Sequence, residues 1–353
     1  GNPSSLYPFG NQLGQALIAA RTSIATLIGA ARPAEIICTA SGTEANHMAI
    51  RGALLAQPHR RHIVTSAVEH SSILNLCELL KIQGYTFTAL PVDANGQIAL
   101  ADLEGAIRPD TALVSMMWAN NETGILSPMA KIAELCVRRD IPLHSDAVQA
   151  AGKIPLSMAS IPVSMVSLAA HKLHGPKGVG ALYMRRGTKW TSPAPGAQEN
   201  GRRAGTENVA GIVGFGVAAD LARDYVMTGA SRVEALRNTM ESRLLQAIPD
   251  SSINGQRAPR LGNTSNITIR DIDGEVCIMM LAEHGICAST GSACSAGRVA
   301  ASHVIKAMGV DMQTHSPIRL SLARTATAED ITQVCTVLPS VVERLRRLNP
   351  KNM

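Results

Sequence analysis

Glu35-Ile36-Ile37-Cys38-Thr39-Ala40-Ser41-Gly42-Thr43-Glu44-Ala45-Asn46 carries the chain from one kind of backbone to another. Residues 35–40 form an apolar, β-branched run of the length of a buried strand. Small polar residues break it, and a helical pattern follows over 44–55. The same alternation recurs. Strand-like runs fall at 62–66, 86–92, 112–118, 142–145, 163–169 and 179–185, and helical patterns at 71–83 and 128–139. Strands alternating with helices predict an α/β domain, a mostly parallel sheet with helices on its faces. Such sheets present ligands at the carboxyl ends of their strands.

A Pro/Gly-rich stretch over 192–205 interrupts this rhythm, and a long helical region, 206–248, follows with glycines in its interior. The remainder reads as a smaller α+β unit, with strands at 266–270, 286–289 and 318–322 and helices at 275–284, 301–308 and 328–348. The division predicted is a large domain, 1–228, and a small C-terminal domain, 229–353. A chain of 353 residues that is 46% hydrophobic can bury a sizeable core, and 17% charge argues against disorder. No apolar run reaches the roughly 18 residues of a membrane span. Basic residues exceed acidic ones by only +6, and aromatics make up 3%, so a base-stacking nucleic-acid surface is not expected. The seven cysteines include no CxxC pair, which fits a reducing, cytoplasmic setting. The turn-rich start, Gly1-Asn2-Pro3, lacks an initiating Met and reads as the middle of something, with an N-terminal segment expected before it.

Four stretches carry chemistry, each with an ordinary reading beside the functional one. At 39–46, free N–H groups at a helix start, Gly42 and the Thr43 hydroxyl suit a phosphate, although a plain N-cap gives the same pattern. Neither a Walker loop nor GxGxxG occurs. In Ala169-Ala170-His171-Lys172-Leu173-His174-Gly175, a lysine at a strand end suits a Schiff base, and a surface turn would look similar. In Leu143-His144-Ser145-Asp146-Ala147-Val148-Gln149, the carboxylate of Asp146 suits a pyridinium nitrogen, with Gln149 on the same side, and a helix cap is the common use. In Gly291-Ser292-Ala293-Cys294-Ser295-Ala296-Gly297, one cysteine sits among small residues, as a reactive thiol requires. Cys38, Cys77, Cys136, Cys277, Cys287 and Cys335 lie in apolar periodic segments and read as core.

Taken in order, these stretches resemble the cysteine desulfurases, pyridoxal-phosphate-dependent enzymes of fold type I in the class V aminotransferase branch. Further signposts are Val68-Glu69-His70, Ala119-Asn120-Asn121-Glu122-Thr123-Gly124, Gly201-Arg202-Arg203-Ala204-Gly205-Thr206 and Ile318-Arg319-Leu320-Ser321-Leu322, so the resemblance runs nearly end to end. Gly291-Ser292-Ala293-Cys294 matches the Gly-Ser-Ala-Cys branch.

The resemblance implies that Lys172 holds pyridoxal phosphate covalently, His70 stacks on its ring and Asp146 pairs with its nitrogen. It implies Gln149 on the phenolic oxygen, and Gly42, Thr43 and His171 at the phosphate. Thr206 would reach the phosphate of a neighbouring subunit, hence a homodimer. Arg319, helped by Asn120, would grip the carboxylate of L-cysteine. The Cys294 thiolate would take the substrate sulfur as a persulfide, leaving alanine, for an iron–sulfur scaffold or a thiolation relay. No metal is implied. The alternatives are selenocysteine lyase or another reaction on the same cofactor, such as transamination, a catalytically weak sulfur-relay or assembly subunit, and a basic nucleic-acid-binding protein. The sequence departs from the family at Ala169, where Ser is usual, at Ala170 and Ala323, where Gly is usual, and over 298–301. The serine hydroxyl missing at 169 weakens phosphate binding by about 1 kcal/mol.

Overall fold

The computed structural model describes residues 1–3, 5, 7–291 and 302–348. It falls into two compact units. The first comprises Gly1–Leu90, Ile98–Ala119 and Ser127–Met227; the second comprises Pro91–Gln97, Asn120–Leu126 and Thr228–Met353.

The first unit opens with α1 (Pro8–Leu27), β1 (Ile36–Thr39), α2 (Gly42–Leu55), β2 (His62–Ser66), α3 (Ser71–Ile82) and β3 (Thr86–Leu90). It continues with α4 (Leu100–Ala106), β4 (Thr111–Ser115), α5 (Met129–Arg138), β5 (Leu143–Asp146), β6 (Met165–Ala169), β7 (Gly180–Met184) and α6 (Val209–Thr228). Seven strands make one sheet in the order β1-β7-β6-β5-β4-β2-β3. The pairs β2–β3, β2–β4, β4–β5 and β5–β6 are parallel, and β7 is antiparallel to both its neighbours. Strands β1, β2, β4, β5 and β6 are buried along their whole length, as a sheet covered on both faces requires. Ile37, Ile50, Ile63, Leu76 and Leu113 meet in one core between the sheet and α2 and α3.

Because β1 runs antiparallel to β7, and β7 to β6, β1 is parallel to β6 and the rest. The carboxyl ends of β1, β2, β4, β5 and β6 therefore lie at one edge of the sheet. From that edge the chain leaves toward Gly42, His70, Met117, Asp146 and Lys172.

The second unit holds α7 (Ala230–Ala247), β8 (Ser251–Ile253), β9 (Thr264–Arg270), α8 (Gly274–Glu283), α9 (His303–Ala307), β10 (His315–Ser321) and α10 (Ala328–Leu348). Its antiparallel sheet has the order β10-β9-β8. Ile267, Ile269 and Ile318 of the sheet pack against Met240, Leu281 and Leu338 of the helices. The architecture is the one expected from sequence: a mostly parallel sheet flanked by helices, and a smaller α+β part.

Several details differ from the sequence reading. The division at 228/229 is a single cut, whereas the second unit also takes in Asn120–Leu126. Backbone bonds explain this: Leu126 N–H donates to the Pro259 carbonyl and Leu261 N–H to the Gly124 carbonyl, both at 2.8 Å. The helical region 206–248 is two helices parted at Gly229. The expected strand at 286–289 reduces to one bridge, Ser289 with Arg319. Gly285 (φ +75°) turns the chain out of α8 and Ile286 N–H still bonds back to Leu281, so few residues remain to pair. Cys287 in this segment is exposed, not core, while Cys38, Cys77, Cys136, Cys277 and Cys335 are buried. Among the described residues no helix is long and apolar enough to cross a membrane.

Candidate active site

The sheet edge gathers a set of polar groups that an apolar core would exclude unless they were bonded. Asp146 ends β5 and is 6% exposed. Its Oδ1 accepts the Val148 N–H at 3.0 Å, and its Oδ2 accepts Asn46 Nδ2 at 2.8 Å. Asn46 Nδ2 also donates to Ser72 Oγ at 3.0 Å. Ser72 Oγ lies 2.9 Å from His70 Nδ1, and the Ser72 N–H donates to the same nitrogen at 3.2 Å. His70 is thus the N-cap of α3. A nitrogen that accepts a backbone N–H holds no proton, so the neutral ring carries its hydrogen on Nε2. A continuous chain of bonds joins His70, Ser72, Asn46 and Asp146.

Burial pushes the Asp146 carboxyl above its ordinary value, opposed by the Asn46 and Val148 bonds and then by the nearby charge of Lys172. Lys172 stands on the short 3-10 turn Ala170–Leu173 that follows β6, and its side chain is exposed. His174 closes that turn with φ +63°. His171, exposed beside it, is held below its usual pKa by partial burial and then by Lys172 and Lys177. Beneath Asp146, two residues back on the same strand face, His144 is fully buried between Ser115 Oγ and Ser167 Oγ, each at 2.9 Å. Burial lowers its pKa to about 3, so it stays neutral.

Helix α2 starts at the same edge. Ser41 caps it by accepting the Glu44 N–H at 3.1 Å, and the Ala45 N–H goes to the Ser41 carbonyl. Among the described residues the N–H groups of Gly42 and Thr43 have no acceptor. Gly42 is fitted closely: a Cβ there would lie 2.8 Å from Val148 Cγ2 and 3.4 Å from the Ala169 methyl. Position 169 therefore faces the helix start. Thr43 is exposed, and Glu44 is tied to Arg203 at 2.8 Å. Gln149 is half-buried with its carbonyl oxygen accepting Lys153 Nζ at 2.5 Å. Thr206 is exposed after Gly205 and, among the described residues, makes no hydrogen bond to this cluster.

Two other expected residues belong to the second unit. Asn120 is 4% exposed, and its Oδ1 accepts the Glu122 N–H, the Thr123 N–H and Thr123 Oγ1 at 2.9–3.1 Å. That oxygen closes the 120–124 turn. Arg319 on β10 donates through Nη1 to the Asn121 carbonyl at 2.8 Å and the Gly291 carbonyl at 3.4 Å. Cys294 lies outside the described residues.

Sequence reasoning gave no role to Asn46, Ser72 or Glu69. Asn46 had a legible signal, a polar residue on the helix face made by Gly42, Ala45, Ala49, Ile50 and Ala53. Glu69 is fully buried, its Oε1 accepting Ser66 Oγ and the Met117 N–H at 2.8 Å each. Burial pushes its carboxyl up to about 8.

The sequence matches the family described as aminotransferase class-V over residues 1–334. It is 49% identical over 352 residues to a cysteine desulfurase of Nostoc sp., covering 99% of this chain and 88% of the relative. The cysteine desulfurase NifS of Azotobacter vinelandii is 45% identical over 352 residues, with the same 99% and 88% coverage. A solved structure of a NifS-like protein superposes with a TM-score of 0.89 at 32% identity, over 98% of this chain and 92% of that one.

Proposed function

The chain belongs to the class-V aminotransferase family, and from that premise we propose that it is a cysteine desulfurase, which uses pyridoxal phosphate to move the sulfur of L-cysteine onto its own Cys294 and releases L-alanine. The observation that carries the reading is the Asp146–Asn46–Ser72–His70 chain beside Lys172 at the carboxyl edge of a parallel sheet.

The residues present fit the cofactor. A carboxylate buried at 6% exposure, with its pKa raised by that burial, suits a pyridinium N–H. The two N–H groups at the start of α2, with the Thr43 hydroxyl and His171, suit a phosphate. Bound there, the cofactor would supply an electron sink for the substrate Cα, so that its proton could be removed.

The protein's own residues divide the remaining work. The Lys172 amine holds the cofactor at rest and then accepts the Cα proton. Asp146 holds the ring nitrogen's proton in place, and Asn46 keeps Asp146 aimed. The His70 ring, fixed by Ser72, presents Nε2–H for proton transfer. Gln149 orients the cofactor's phenolic oxygen, for which its Nε2 is the suitable end, since Oε1 is taken by Lys153. Arg319 pairs with the substrate carboxylate and Asn120 Nδ2 assists. The Cys294 thiolate attacks the substrate sulfur: an S–S bond forms, the Cβ–S bond breaks, its electron pair stays with the three-carbon fragment, and a proton taken up at Cβ completes the methyl group of alanine. The protein acts as a cytoplasmic homodimer in which Thr206 serves the phosphate of a second copy. The sulfur passes on to an iron–sulfur scaffold or a thiolation relay protein.

Mass spectrometry after incubation with L-cysteine tests this directly. One added sulfur on Cys294, together with alanine formation, is the expected result. Turnover that persists unchanged in Cys294→Ala overturns the persulfide step and leaves a lyase.

A further inference from the structure

We propose that Glu122 is a positioning residue for sulfur transfer: its buried carboxylate, in the turn that also carries Asn120, is bonded to Ser302 and packed against Gly291, the two residues that flank the segment 292–301 in which Cys294 lies. The inference rests on the desulfurase reading for its purpose, and on the second unit alone for its geometry.

Glu122 is 1% exposed. Its backbone is held at both ends of the peptide: the N–H donates to Asn120 Oδ1 at 2.9 Å, and the carbonyl accepts Asn266 Nδ2 of β9 at 3.2 Å. Its Oε2 accepts Ser302 Oγ at 2.5 Å. Ser302 follows the segment and caps α9 through the Ile305 N–H at 3.1 Å. Gly291 precedes the segment with φ +118°, and a Cβ there would collide with the same Oε2. Both flanks thus converge on one oxygen. The Gly291 flank is also tied to the residue that would hold the substrate carboxylate. Ser289 exchanges backbone bonds with Arg319 at 3.2 and 2.6 Å, and Arg319 Nη1 reaches the Gly291 carbonyl.

Burying a carboxylate costs free energy unless specific donors repay it, and an apolar residue would serve the core better. What the carboxylate adds is direction: it accepts a hydroxyl from one flank and admits only a glycine at the other. The thiolate must meet the substrate sulfur along a narrow approach, and a misplacement near 1 Å costs about 100-fold in rate. Holding Ser302 by a hydrogen bond and Gly291 by close packing fixes where the segment begins and ends relative to Arg319, which would grip the substrate carboxylate.

The experiment measures the rate at which sulfur appears on Cys294, by quenched-flow mass spectrometry, in holoenzyme of wild type, Glu122→Gln, Glu122→Ala and Ser302→Ala. The expected order is wild type, then Glu122→Gln and Ser302→Ala slowed severalfold, then Glu122→Ala slowed about 100-fold. The visible cofactor band and its change on adding L-cysteine persist in all four. Iodoacetamide labelling of Cys294, read by peptide mass, supplies an independent measure and rises severalfold in the variants. Equal sulfur uptake in wild type, Glu122→Gln and Ser302→Ala overturns the proposal. Loss of the cofactor band in those two variants also overturns it, because the carboxylate then supports the fold as a whole. If wild-type Cys294 takes up no sulfur, the desulfurase reading falls, and unchanged labelling rates then overturn the positioning role as well.

Discussion

Asn46 spends one amino group on two acceptors, Asp146 Oδ2 and Ser72 Oγ, and through Ser72 links the Asp146 carboxyl to the His70 imidazole. Replacing it by Ala removes a donor to a buried carboxylate, worth about 1.5–3 kcal/mol. Asn46→Ala is expected to retain pyridoxal phosphate at least about tenfold more weakly, measured by dialysis against the visible band. Glu69 gives a pH signature. Its carboxyl is raised from 4.5 to about 8, chiefly by burial. Below about pH 4.5 it is neutral in folded and unfolded chains alike, and its contribution is fully present. Between those values the unfolded carboxyl ionises while the folded one keeps its proton, so stability falls by up to about 1.4 kcal/mol per pH unit until the folded group titrates. Glu69→Gln keeps the acceptor for Ser66 and Met117 and removes the titration. The melting temperature of wild type is therefore expected to drop relative to Glu69→Gln between pH 6 and 8; parallel curves contradict this assignment.

At the scale of elements, the start of α2 combines a cap with the proposed phosphate cradle, and substitutions separate the two. Ser41→Ala leaves the Glu44 N–H without its acceptor and is expected to lower stability by about 1 kcal/mol. Gly42→Ala drives a methyl into Val148 and Ala169, with an expected cost of about 1–3 kcal/mol and weaker cofactor affinity. Apoprotein melts and pyridoxal phosphate titrations read the two effects independently. The elements were unequally legible. β2 and α10 fall where their pattern predicts, because a β-branched run and a long amphipathic repeat each carry a strong period. Helix α1 went unread: Gly10 and Gly14 interrupt its first turns, and it has neither a side-chain cap nor an acidic first turn, leaving Pro8 as its main signal. Strand β8 is only three residues long and holds its place through β9. Cys287 misled because apolar neighbours imply burial only within a regular element.

For the whole molecule, a cofactor that binds the folded chain and not the unfolded one adds stability by mass action, about 2.7 kcal/mol at a hundredfold excess over its dissociation constant. Stripped protein is expected to melt lower than reconstituted protein and to recover on adding pyridoxal phosphate alone. A melting temperature indifferent to the cofactor contradicts the proposed site. The +6 charge and the sparse aromatics already told against a nucleic-acid surface. The alternation of strand and helix determined a mostly parallel sheet by itself, since period and turn chemistry are local properties. The same holds for Lys172, Asp146, Gly42 and Cys294 as candidates, because each stands in a local pattern suited to its chemistry. Only the tertiary structure decided that Asn46 and Ser72 link Asp146 to His70, that Asn120 spends its oxygen on its own turn, and that Glu122 meets both Gly291 and Ser302. Those partners lie up to 180 residues apart in the chain. Contacts between such distant residues leave no periodic trace in sequence; they exist once each unit has folded.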